Sequence, residues 1–196
     1  MSEKKYFYHG SIQADITKLK ASSLLHETNK KVVYLTDNIP YALLYIWSGK
    51  HNNYDRKFVT GWIKNKIACY EEIFPNQLEI FYKNVAGYLY CVEKNSDISA
   101  VNGRESMYYS ETDIVADRTI YISDIYQELM KYETAGKFRL FRFNEQSKES
   151  QNKLIDKSAD IIIRSNFFET DEAKLNFYKK YFSEAWERAN IKYNQK

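Results

Sequence analysis

Three consecutive residues near the start of the chain, His9, Gly10 and Ser11, bring together an imidazole, a residue with no side chain and a hydroxyl. An imidazole can donate or accept a hydrogen bond, and glycine lets a partner come close to the backbone. A lone His-Gly-Ser is more often a turn than a site, so its weight depends on the residues downstream of it. Downstream stands a pair of tyrosines eleven residues apart, Tyr34 and Tyr45. A tyrosine ring has a flat apolar face and a polar tip, which suits both cores and the stacking of a flat cationic ring. The chain holds 18 tyrosines, so the order of the residues carries more meaning than any one of them. Other chemistry is less well supported. His26 and His51 read as exposed loop residues, and with Cys69 and Cys91 they give no zinc spacing, so no metal is expected. Arg104 stands in a Gly-Arg-Glu turn, where it reads as surface decoration able to meet a phosphate.

These residues need elements to hold them. The run from Lys4 to Gly10 alternates and predicts a strand ending at Gly10. Residues 15–22 predict a turn or short helix, and the β-branched run 31–37 a second strand carrying Tyr34. Residues 37–49 predict a helix carrying Tyr45. Asp37 or Asn38 can cap it, Pro40 suits its first turn, and Gly49 can end it. Tyr41 and Tyr45 lie at i and i+4 and share a face. Residues 67–84 predict a helix broken near Pro75, residues 86–94 a strand, and residues 106–122 strands split by a polar stretch. Ser123 or Asp124 can cap a helix that Gly136 closes, and residues 137–143 alternate as a strand. Beyond Glu145 the pattern becomes helical. One helix is expected over 146–168, and a second, capped by Thr170, buries Leu175, Tyr178, Phe182, Trp186 and Ala189. The expected class is α+β, with a body over 1–145 and a helical C-terminal extension over 146–196.

The His9-Gly10-Ser11 strand, the Tyr-Leu-Thr-Asp-Asn run beginning at Tyr34, the proline-started helix and Tyr45 together resemble the ADP-ribosyltransferase fold of the diphtheria toxin and poly-ADP-ribose polymerase branch. The resemblance covers roughly the first 50 residues well and the next 75 loosely. It implies a split sheet with flanking helices and NAD as the substrate. Tyr34 and Tyr45 would sandwich the nicotinamide, and the backbone of Gly10 would bond its carboxamide. His9 would hold a ribose hydroxyl, and Ser11 would steady the turn or the histidine. A glutamate that opens a strand before an aromatic would stabilise the oxocarbenium-like ribose. Met107 occupies that place here, which leaves Glu105, two residues earlier, and Glu111 as candidates. Period-2 alternation would put Glu105 on the same face as Met107. The implied activity is mono-ADP-ribosyl transfer to a macromolecular target, with release of nicotinamide. Without the glutamate, the same fold would serve as an NAD, ADP-ribose or protein-binding module.

Composition narrows the remaining choices. The chain has 196 residues, and 44% of them are hydrophobic, enough for a real core. A net charge of +3 from 29 basic and 26 acidic residues argues against binding nucleic acid by charge alone. The basic, aromatic stretch 139–143 and the C-terminal helices nevertheless keep a nucleic-acid-associated role as an alternative. No apolar stretch approaches the roughly 20 residues of a membrane helix. The first ten residues are charged and lack the apolar core of a signal peptide. The expected protein is soluble and cytoplasmic, with no membrane partner.

Overall fold

The structure, a computed structural model, describes residues 5–25, 28–46, 61–165 and 172–194. His26, His51, Gly49 and Thr170 lie outside them. The chain divides into two compact units. The first comprises Met1–Ser48, Gly61–Tyr70 and Phe81–Arg139; the second comprises Gly49–Thr60, Glu71–Ile80 and Leu140–Lys196. The class is α+β.

The first unit is built on an antiparallel sheet. Its strands are β1 (Tyr6–Ser11), β2 (Ser23–Leu24), β3 (Lys31–Thr36), β6 (Gly87–Glu93), β7 (Ser99–Ala100), β8 (Met107–Ser110) and β9 (Arg118–Ile122). They lie in the order β7-β8-β3-β1-β6-β9, with β2 pairing β3 off that path. One face carries a core of Phe7, Val33, Leu35, Tyr90 and Val92, closed by Leu19 and Ile114. Residues 15–22 are not helical. They bend at residues 17 and 18 and cross this face through a Leu19↔Ile114 bridge that buries Leu19, so of the turn or short helix expected here it is the turning chain that forms. The Tyr90 hydroxyl ties down the same stretch by donating to the Gln13 carbonyl and accepting from the Ile16 N–H.

The other face carries helix α1 (Ile39–Leu43). Asn38 caps it by accepting from the Tyr41 N–H at 3.0 Å, and Pro40 sits in its first turn. The helix is only five residues long, so Tyr45 lies just past its end. Gly10 faces this helix. A Cβ at residue 10 would overlap the Ala42 carbonyl oxygen and come within 2.9 Å of Ile46 Cγ1. Helix α3 (Ile125–Thr134), capped by Asp124, buries Ile125 and Leu129.

The helix expected at the start of 67–84 is instead a strand. Strands β4 (Gly61–Lys64) and β5 (Ile67–Glu71) form an antiparallel hairpin around Asn65 and Lys66, both at positive φ. Burial of Ala68, Cys69 and Tyr70 decides between the two readings of this apolar run. With β10 (Phe138–Phe141) they form a sheet of order β10-β5-β4. The helical part begins only at α2 (Gln77–Tyr82). Cys69 and Cys91 are both buried free thiols, each made less acidic by that burial.

In the second unit α4 (Lys148–Arg164), α5 (Glu172–Tyr181) and α6 (Ser183–Asn194) form a helical group. The helix expected from 170 onward is thus bent at Phe182. Helical bonds from Phe182 to Tyr178 and from Trp186 to Phe182 continue across the bend. Tyr178, Phe182 and Ala189 are buried as the spacing requires. Arg188 of α6 reaches Asp156 and Asn152 of α4 at 3.0 and 2.7 Å. Buried Glu72 accepts from the N–H groups of Leu78 and Phe143; burial pushes its carboxyl upward, and these bonds pull it back.

Gly10→Ala is expected to lower the unfolding free energy by about 1–3 kcal/mol, the scale of overpacking a filled site. Asn38→Ala removes the cap together with a solvent-exposed bond to the Lys66 carbonyl and is expected to cost about 1 kcal/mol. Urea unfolding of the two variants beside the wild type checks both the size and the order.

Candidate functional site

The sheet opens between β1 and β3. β1 runs beside β6 through six register pairs, from Tyr6↔Glu93 to Ser11↔Tyr88. Against β3 its register is a single pair, Tyr8↔Thr36. β3 meets β2 only at its other end, where Ser23 pairs with Val32 and Leu24 with Lys31. Residues Val33–Leu35 therefore border an opening, and a backbone group left there needs another partner.

His9 supplies one. Its Nδ1 lies 2.9 Å from the Tyr34 carbonyl oxygen. A carbonyl only accepts, so Nδ1 carries the proton, and in the neutral ring Nε2 is left as an acceptor. Among the described residues Nε2 has no hydrogen-bond partner. Burial holds the imidazole pKa below its usual 6.5, and the Tyr34 bond works in the opposite direction.

Strand alternation fixes which side the tyrosines take. Gly10 faces α1, so Tyr8 does too, and its register partner Thr36 shares that face. Tyr34, two residues before Thr36, takes the same side. Tyr34 and Tyr45 are thus brought to the same side of the sheet, whereas His9 belongs to the opposite face and reaches Tyr34 through the opening. The Tyr34 hydroxyl donates to the Leu24 carbonyl at 3.1 Å, across the mouth. The Tyr45 hydroxyl donates to that of Tyr41 at 3.0 Å, and the two rings meet edge to face with centroids 5.3 Å apart. Tyr41 is 7% exposed and Tyr45 is 54% exposed, so a buried ring anchors an open one. The enclosed hydroxyl end of Tyr45 pushes its pKa upward. Tyr41 and Tyr34 add to this and Arg104 opposes it, so all three lie within electrostatic range of that phenol.

The remaining site residues have structural roles. Ser11 Oγ accepts from the Gln13 N–H at 3.1 Å and holds the turn after β1. A Cβ on Gly10 would run into α1, so the missing side chain lets the helix seat on β1. Thr36 donates to the Ser106 carbonyl at 2.7 Å. Burial works against the Asp37 carboxylate, but Ser106, Lys5 and Tyr108 hold it below its usual pKa. Asn38 caps α1 and also donates to the Lys66 carbonyl at 2.9 Å. The Thr-Asp-Asn run is therefore a brace around the opening.

Met107 opens β8 and pairs with Thr36, while Tyr109 pairs with Tyr34. The strand-opening position, two residues before the partner of Tyr34, is thus occupied by a thioether. Glu105 does not share a strand face with Met107, because β8 begins at Met107 and Ser106 interrupts the alternation with φ at 56°. Both Glu105 oxygens accept from the hairpin turn, at 2.6 Å from the Lys66 N–H and 3.1 Å from that of Asn65. Glu111 is exposed and ion-paired with Lys30 at 2.6 Å. Among the described residues no group of three potential ligands could hold a metal ion, and no helix is long and apolar enough to cross a membrane. A comparison of the chain with protein-family models, curated proteins and solved structures finds no match.

His9 gives a pH signature whose sign is fixed. The unfolded histidine titrates near 6.5 and the folded one lower. Its contribution to stability is complete above about pH 6.5 and is lost as pH falls through the folded value. His9→Gln keeps a donor for Tyr34 but cannot titrate. Thermal melts from pH 8 down to 5 are expected to converge for the two proteins at the acidic end, where the wild type alone loses this stability.

Proposed function

We propose that this protein binds NAD in the opening between β1 and β3, as a non-catalytic relative of the ADP-ribosyltransferase type. The observation that carries this reading is the joint placement of Tyr34 and Tyr45 on one side of the opening, with the unprotonated Nε2 of His9 at its edge. A pyridinium ring between two phenol rings gains from stacking and from cation–π attraction. The Nε2 acceptor suits a ribose hydroxyl, which carries a proton to donate. Binding is favoured over transfer because the strand-opening place holds Met107. Cleavage of the glycosidic bond needs negative charge where the ribose turns cationic, and a thioether has none to offer.

A second reading, ADP-ribosyl transfer from NAD to a protein or nucleic-acid target, is supported by one observation. Glu105 comes directly after Arg104, whose charge opposes the upward push on the Tyr45 phenol, so a carboxylate belongs to the same short segment as a group that Tyr45 senses. In this reading Glu105 would have to release the Asn65–Lys66 turn. Neither reading uses a metal.

Calorimetry with NAD is expected to show saturable binding that weakens at least tenfold in Tyr45→Ala and in Tyr34→Ala. Nicotinamide release, followed in the same samples, is expected to stay at the background of NAD alone. Absence of binding at millimolar NAD would sink the proposal, as would an unchanged affinity in Tyr45→Ala. Release that disappears in Glu105→Gln would move the assignment to the transferase.

A further inference from the structure

The end of α1 does not rest on an ordinary sheet surface. Three of the chain's six glycines lie beneath it, on three different strands. Gly10 of β1 lies under Ala42, and Gly61 of β4 lies against Leu44, whose Cδ1 would be 2.6 Å from an added Cβ. Gly87, the first residue of β6, lies under Ile46. A Cβ at residue 87 would overlap Ile46 Cγ2 and come within 2.8 Å of the Ser11 carbonyl oxygen. Leu44 and Ile46 are 1% and 0% exposed, while Tyr45 between them is 54% exposed. The chain is therefore pinned on both sides of Tyr45, and the ring is what those two anchors leave outside.

We infer that Gly87 is a positioning residue for the Tyr45 ring, acting through Ile46 and not through any contact with a ligand. The inference rests on the NAD reading of the opening and adds to it the part of the fold that sets the separation of the two tyrosines. Glycine at 87 lets Ile46 sink to the backbone of β6 and β1. Any side chain there must lift Ile46, and Tyr45, bonded to it in the chain, moves with it. Ile46 Cγ2 is the branch methyl at Cβ, so leucine at residue 46, which lacks that branch, should relieve much of the overlap. The close approach to the Ser11 carbonyl would persist, and the relief would be partial.

The test uses the full chain with two ligands, NAD and ADP-ribose; the second lacks the nicotinamide that Tyr45 would stack on. Gly87→Ala is expected to weaken NAD at least tenfold while leaving ADP-ribose within twofold of the wild type. Adding Ile46→Leu is expected to recover part of the NAD affinity. Equal weakening of both ligands, or NAD binding within twofold of the wild type, would overturn the inference, since a general loss of structure does not distinguish the two. A second measurement stands apart from NAD: 3-fluorotyrosine placed at residue 45 is expected to shift its fluorine resonance in Gly87→Ala and to move back in the double variant. An unmoved resonance defeats the positioning role even if neither ligand binds. A moved resonance in a protein whose wild type binds neither ligand defeats the NAD reading alone. Should Gly87→Ala fail to fold, Ile46→Ala empties the notch without overlap and is expected to move the same resonance; no movement there would likewise overturn the role.

Discussion

The contact on which the first unit depends is the seating of a five-residue helix directly on strand backbone. Ala42 meets Gly10 backbone to backbone, and the side chains of Leu44 and Ile46 lie close over Gly61 and Gly87. Short helices gain little from their own hydrogen bonds. This one is held by a cap at Asn38, a proline at its start and the burial of Tyr41, Ala42, Leu43 and Leu44. The opening beside β3 arises from the same geometry: β1 stays with β6 and leaves β3 after one register pair.

Around that opening the polar groups are used economically. The Tyr34 carbonyl takes His9; the Tyr34 hydroxyl takes Leu24; the Tyr45 hydroxyl takes Tyr41. Thr36, Asp37 and Asn38 fasten β3 to the approach of β8 and to the β4–β5 turn. The part-buried bonds, from His9, Tyr45, Thr36 and Tyr108, satisfy groups that would otherwise cost free energy where water is scarce. Together they leave His9 Nε2 and the half-exposed Tyr45 ring at the opening.

Much of this was legible in the chain and some was not, for reasons that differ by residue. The two strands and the capped helix could be read because alternation, Asn38 and Pro40 are local signals. The order His9, Tyr34, Tyr45 could be read for the same reason. The β4–β5 hairpin could not, because the apolar run from Ile67 fits either a helix or a strand and its turn is made by Asn65 and Lys66 without a glycine. The fate of Glu105 was hidden because its partners lie 39 and 40 residues away. Gly10 was legible as a close approach, but the helix that lies against it was not. Gly87 carries the signal that an isolated glycine in a strand always carries, yet only the fold reveals Ile46 above it. Arg104 was legible only as surface decoration, since its electrostatic effect on Tyr45 arises between residues 59 positions apart in the chain.

The brevity of α1 has a practical meaning. An excised peptide spanning 32–46 would hold neither turn nor ring geometry, since five helical residues sit far below the length at which a helix persists alone in water. The arrangement of the two phenols is a property of the assembled sheet. Grafting the motif onto another scaffold would therefore require transplanting its bed of bare backbone along with it.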